Sequence, residues 1–206
     1  MIKPFKVNIS KKIIQNIRSK VKNYEWHEMP NDGGWDYGTN LDYMKKFCKY
    51  WVNRYKWKET EKKINSFKNF VCNVDGIDIH FIYEKGSGTK PKPLLLSHGW
   101  PGSIVEFHKI INPLIDPVSH GGKAEDAFHL VCPTLPGYGF SGKPSQPGTG
   151  VEKIAELWDL LMNKIGYNEY FAQGGDWGSA ITIAIGKQNR GSCKGIHVNM
   201  PFAPPT

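Results

Sequence analysis

The chain has 206 residues, enough for one domain with a buried core. Its 39% hydrophobic and 13% aromatic content excludes a disordered chain, because disorder goes with few aromatics. No apolar run approaches the roughly 20 residues that span a bilayer, and the opening Met-Ile-Lys-Pro-Phe-Lys-Val-Asn holds no apolar h-region, so neither a transmembrane segment nor a secretory signal is expected.

The formal net charge is +8, from 27 Lys or Arg against 19 Asp or Glu. Residues 1–70 hold 16 of the basic residues and only 7 of the acidic ones, a net of +9, so the excess belongs wholly to the first third. Such asymmetry raises nucleic acid or an anionic membrane surface as partners. The basic residues alternate with Ile, Trp and Tyr at helical spacing, which is the pattern of a solvated helix face. No nucleic-acid partner is therefore expected, and membrane-surface contact stays open. Cys48, Cys72, Cys132 and Cys193 form no Cys-x-x-Cys pair, so reduced thiols are expected and a structural zinc site has no support.

Residues 10–23 read as an amphipathic helix with Ser10 as N-cap and Ile13, Ile14, Ile17 and Val21 on one stripe. Pro30 and Asp32-Gly33-Gly34 break it. A second helix is expected from Leu41 to Tyr55. Trp26, Trp35, Trp51 and Trp57 crowd this region and are expected to pack it onto a larger body. Residues 1–70 are too poor in aliphatic core to stand alone, so the division expected is an N-terminal region, 1–70, and a core, 71–206.

Near residue 69 the period changes from helix to strand. Phe70–Val74 and Ile77–Tyr83 flank Asp75-Gly76, a dipeptide suited to the positive φ of a type I′ hairpin. Pro93–Ser97 and Leu130–Cys132 are short apolar runs, as in buried parallel strands. Residues 151–165 form the clearest helix, stopped by Gly166. Tyr170–Ala172 reads as a strand, about Ser179–Lys187 as a helix and Gly195–Met200 as a strand. This alternation implies an α/β fold: a mostly parallel sheet with helices on both faces.

Three segments carry chemistry. Gly174-Gly175-Asp176-Trp177-Gly178 lies between a strand and a helix and has the Gly-x-nucleophile-x-Gly form, with Asp176 where many hydrolases carry Ser. The sharp turn strains the nucleophile's backbone, and the helix N-terminus favours an anion. Ser97-His98-Gly99-Trp100-Pro101-Gly102-Ser103 follows the Leu94–Leu96 strand directly. The backbone N–H groups of Trp100 and Trp177 are the expected oxyanion hole. Trp100-Pro101 is a candidate cis bond, and His98 is read as ordering its loop by hydrogen bonds, not as a base. Leu135–Gly142 is glycine-rich but lacks the Lys-Ser/Thr of a phosphate loop, so no nucleotide is expected.

Together these segments resemble the α/β-hydrolase superfamily and, within it, the microsomal-type epoxide hydrolases, including insect juvenile hormone epoxide hydrolases. The resemblance covers nearly the whole chain. It includes Gly34-Trp35, Tyr37-Gly38, Tyr50-Trp51, Tyr55-Lys56-Trp57, Asn65, Asp75-Gly76 and Ile79-His80-Phe81, a region absent from soluble-type epoxide hydrolases and haloalkane dehalogenases.

The resemblance implies hydrolysis of a small-molecule epoxide to a vicinal diol. Asp176 would form an alkyl-enzyme ester, a His–acid pair would activate water, and no metal or cofactor would be needed. It implies an intracellular protein, cytoplasmic or peripheral at a membrane and not secreted. None of the seven histidines stands where the family base does, and the cap tyrosines lie later in the family than residue 200. The expectation is therefore an N-terminal fragment, cut before the cap domain, that turns over epoxide negligibly alone. Three alternatives remain. A haloalkane dehalogenase-like hydrolase shares the Asp-Trp elbow. A non-catalytic remnant or interaction module is the second. The third is a nucleic-acid or membrane-surface binder working through residues 1–70.

Overall fold

The structure, a computed structural model, describes residues 1–28, 30 and 33–201. The chain divides into two units, Met1–Lys6 with Asn65–Thr206, and Val7–Ile64.

In the first unit one seven-stranded sheet runs through β1 (Ile2–Phe5), β2 (Asn69–Val74), β3 (Ile77–Glu84), β4 (Lys92–Ser97), β5 (Phe128–Pro133), β6 (Tyr170–Gly174) and β7 (Cys193–Val198), in the spatial order β1-β2-β3-β5-β4-β6-β7. β1, β2, β3 and β5 pair antiparallel; β5-β4, β4-β6 and β6-β7 pair parallel. The hairpin between β2 and β3 turns on Asp75 (φ 49°) and Gly76 (φ 83°), the two positive values a type I′ turn requires.

Alternation along the strands splits the core into two faces. Ile79, Phe81, Leu95, Val131 and Ala172 share a cluster with Leu157, Trp158, Leu161 and Met162 of α5 (Val151–Ile165) and Ile181 and Ile185 of α6 (Trp177–Gln188). Their neighbours Ile82, Leu96, Leu130 and Cys132 are buried too. Ile104 and Phe107, from a 3-10 segment (Ile104–Phe107), and Ile111, from α4 (Ile111–Ile115), are also buried, and both elements contact β5. Burial on both sides is why the central strands read as continuous apolar runs. Each fully buried Leu or Ile contributes ~1.5–3 kcal/mol relative to exposure. Gly166 at φ 102° ends α5 with a left-handed residue.

The second unit holds α1 (Lys11–Lys22), α2 (Leu41–Asn53) and α3 (Trp57–Ile64). Ser10 caps α1 by accepting from Ile13 N–H, and Asn40 caps α2 by accepting from Tyr43 N–H. Glu61 accepts from Ile9 N–H at 2.8 Å, the Trp57 indole at 3.0 Å and Lys58 Nζ at 2.6 Å, which ties the start of the unit to α3. Arg18 Nη2 donates to the Tyr55 carbonyl at 2.8 Å. The expected break after α1 is present between α1 and α2, although Asp32 itself lies outside the described residues.

Three findings depart from the sequence expectations. Residues 2–5 form a strand, because β2 offers an open edge on which even Pro4 is tolerated. Residues 57–64 form a helix of their own, organised around Glu61. The tryptophans do not all bury: Trp35 is 59% and Trp51 38% exposed, and they lie beside Tyr43 and Phe47.

Candidate active site

Ser97 and Gly174, the last residues of β4 and β6, are register partners in adjacent parallel strands. The loops that leave them therefore start side by side. One reaches Trp100 three residues later; the other reaches Asp176 after two.

Asp176 sits at φ 52°, ψ −130°, a strained conformation for a residue with a side chain. The small residues around it are steric necessities. A Cβ on Gly174 would strike the Gly178 carbonyl, and one on Gly178 would strike the Ser97 carbonyl, so no bulkier pair lets α6 start this close to β4. Ser179 locks the turn, its Oγ donating to the Gly174 carbonyl at 2.8 Å and its N–H to the Asp176 carbonyl at 2.8 Å.

The Asp176 carboxylate accepts the Trp100 N–H at 2.8 Å through Oδ1. Gly99 permits the approach, since a Cβ there would overlap this carboxylate. Trp177 is the first residue of α6, where backbone N–H groups have no intrahelical partner. The structure thus brings all three sequence-nominated residues to one point at the sheet's carboxyl end. The indoles of Trp100 and Trp177 are 59% and 53% exposed there.

The loop around Trp100 is held from below. His98 is fully buried; its Nδ1 faces the Gly99 carbonyl at 2.9 Å and its Nε2 accepts the Leu135 N–H at 3.1 Å. Both ring nitrogens are engaged, as expected of a structural His, and burial holds its pKa below the usual histidine value. The Trp100-Pro101 bond is cis. At the far end Ser103 and Glu106 form a capping box.

The glycine-rich loop is anchored through a second histidine. His80 is fully buried, with Nδ1 2.8 Å from Thr134 Oγ1 and Nε2 3.0 Å from Asn69 Oδ1. Burial pushes its pKa down to about 4. Its N–H donates to Ser141 Oγ, which in turn donates to the Thr134 carbonyl, while Phe5 and Phe140 meet the ring edge-on. Among the described residues no histidine is hydrogen-bonded to Asp176, and no group of three His, Cys, Asp or Glu stands together as a metal site.

Sequence reasoning did not single out Gly99 or Glu106. The signal for Glu106 was present as Ser103-x-x-Glu106, the spacing of a capping box. Gly99 gave no signal, because its role depends on a residue 77 positions away.

Comparison with known proteins fits this geometry. The family model for the alpha/beta hydrolase fold matches residues 92–206. The chain belongs to that family. A second family model, epoxide hydrolase N terminus, matches residues 2–107, which sets the chain among the epoxide hydrolases. It is 38% identical over 203 residues to epoxide hydrolase 1 of Oryctolagus cuniculus, covering 97% of this chain and 45% of the relative. Juvenile hormone epoxide hydrolase 1 of Ctenocephalides felis is 39% identical over 205 residues, covering 98% and 43%. The crystal structure of juvenile hormone epoxide hydrolase from Bombyx mori superposes with a TM-score of 0.85 at 33% identity, covering 97% of this chain and 53% of that one. The chain spans about half the length of the relatives it matches.

Proposed function

We propose that this chain carries the nucleophile and oxyanion machinery of an epoxide hydrolase. The observation that bears most weight is the bond from Trp100 N–H to Asp176 Oδ1, because it makes the two carboxylate oxygens inequivalent. Oδ2 attacks an epoxide carbon. The carbon–oxygen bond of the ring breaks, its electrons pass to the epoxide oxygen, which takes a proton from solvent, and an alkyl ester forms on Asp176. Oδ1 is then the ester carbonyl oxygen, already at the Trp100 N–H. Water next adds to the ester carbonyl carbon, and the negative charge that develops on Oδ1 is stabilised by the N–H groups of Trp100 and Trp177. Collapse breaks the bond between the carbonyl carbon and the alkyl oxygen, one proton of the water passes to that oxygen and the other to solvent, and the vicinal diol leaves with Asp176 restored and no cofactor consumed.

Ester hydrolysis requires a base for water, and among the described residues no histidine is hydrogen-bonded to Asp176, while His98 and His80 are engaged elsewhere. In this chain alone the first step therefore outruns the second. Incubation with styrene oxide is expected to add one epoxide mass, mapped to Asp176 by peptide mass spectrometry, with negligible release of diol. The Asp176→Ala variant should gain nothing. Failure of the wild-type chain to label at Asp176, or equal labelling of the variant, overturns the reading.

The setting we propose is the cytoplasm or the surface of an intracellular membrane. No helix among the described residues is long and apolar enough to cross a bilayer. The basic excess of residues 1–70 and the exposed Trp35, Tyr50 and Trp51 suit contact with anionic lipid. Co-sedimentation with anionic but not neutral vesicles supports that contact, and its absence removes it.

A further inference from the structure

The loop that presents the Trp100 N–H is five residues long, Gly99–Ser103. Its near end is fixed by His98. At its far end the Glu106 side chain reaches back, its Oε1 accepting the Ser103 N–H at 3.0 Å. The return half of the contact is made as well: Ser103 Oγ accepts the Val105 N–H at 3.3 Å and the Ser103 carbonyl accepts the Glu106 N–H at 3.0 Å. Gly102 lies flat against the same carboxylate, so closely that a Cβ on Gly102 would occupy the position of Oε1. Only two residues, Pro101 and Gly102, separate this hook from Trp100. A loop this short transmits displacement at Ser103 directly to the Trp100 N–H.

We infer that Glu106 is a positioning residue for the oxyanion hole: its carboxylate, as acceptor of the Ser103 N–H, sets the loop so that the Trp100 N–H points at Asp176. The inference rests on the nucleophile role proposed for Asp176, although the geometry it describes is measurable without any reaction. The environment of Glu106 agrees with a group held close to the site. Burial raises its pKa first, the Ser103 N–H draws it back, and the negative charge of Asp176 raises it further. The hook needs an acceptor oxygen rather than a charge, so a glutamine, with the same length and a carbonyl oxygen, preserves it.

The test uses the full chain and two readouts. The first is amide hydrogen exchange followed by NMR. In Glu106→Ala the Trp100 and Ser103 amides should exchange about tenfold faster, the size expected for loss of one capping hydrogen bond. The Leu135 amide, bonded to His98, should keep its wild-type rate. Glu106→Gln should restore the wild-type rates. Gly102→Ala, whose methyl displaces the carboxylate, should reproduce Glu106→Ala and serves as the second variant if that one does not fold. The second readout is styrene oxide labelling at Asp176 of the wild-type chain, which tests the nucleophile reading separately. An unchanged Trp100 rate in both disrupted variants overturns the inference. So does equal acceleration at Leu135, which would mean general loosening, or a glutamine variant as impaired as the alanine one. Absence of labelling in the wild-type chain overturns the nucleophile reading instead, and the exchange rates still decide the role of Glu106.

Discussion

The sheet unit and the Val7–Ile64 unit are built from helices that read alike in sequence and behave differently in structure. α5 buries Ala155, Leu157, Trp158, Leu161 and Met162, whereas α1 and α2 bury no residue at all; Ile13 is 51% and Phe47 47% exposed. α6 reverses the relation, being apolar nearly all round because it is covered on several sides. An amphipathic stripe therefore announces a helix without saying what lies against it. The residues proposed for chemistry lie in the unit where packing is dense, Trp100 on a loop held by the buried His98 and Asp176 on a turn locked by Ser179. The helical unit relies on directed bonds instead, through Ser10, Arg18 and Glu61.

The sharpest way to break this contrast is to remove the same residue type from each unit. Trp158 is fully buried, with its indole N–H on Ser97 Oγ at 2.9 Å. Trp158→Ala should cost ~3–5 kcal/mol in denaturant unfolding. Trp35→Ala, at the other extreme with the ring 59% exposed, should change stability by no more than ~0.5 kcal/mol, as surface substitutions do. Comparable losses would show that the two units pack alike.

A smaller effect follows from His80. Its folded pKa, about 4, lies below the ordinary histidine value of 6.5, so the unfolded chain binds the extra proton first. The stability it contributes is present above pH 6.5 and is lost as pH falls toward 4, amounting to about 3 kcal/mol over the window. The melting temperature should fall across that range, and His80→Gln should flatten the fall. A wild-type midpoint independent of pH from 6.5 to 4 would remove His80 as a buried neutral anchor. Smallest is Ser10→Ala, which should cost ~1 kcal/mol of local helix stability. It should be visible as faster amide exchange within α1 and not in β4 or β6. Acceleration in both places would join the units into one cooperative whole.

Much of the sheet unit was legible because its punctuation is chemical. Asp75-Gly76 and Gly166 occupy backbone conformations with positive φ, and the sequence marks them with the residues that tolerate it. The elbow at Asp176 was legible for the same reason, since Gly174 and Gly178 are small where a Cβ has no room. What escaped depends on partners distant in sequence. β1 has four residues and a proline, and it is a strand only because β2 lies beside it. α3 is eight residues organised by a tie to Ile9, and the exposure of Trp35 and Trp51 is a property of the folded chain.

The order in which the sheet is wound has a consequence of its own. After β4 the chain places β5 on one side of it and, on returning, β6 on the other. Connections leaving the carboxyl ends of neighbouring parallel strands then diverge, and a crevice opens between them. Trp100 and Asp176 line that crevice. The cleft is thus a product of winding order and precedes any choice of reactive side chain. A fold of this kind can exchange its nucleophile, or lengthen the loops around it, while the strands beneath keep their register.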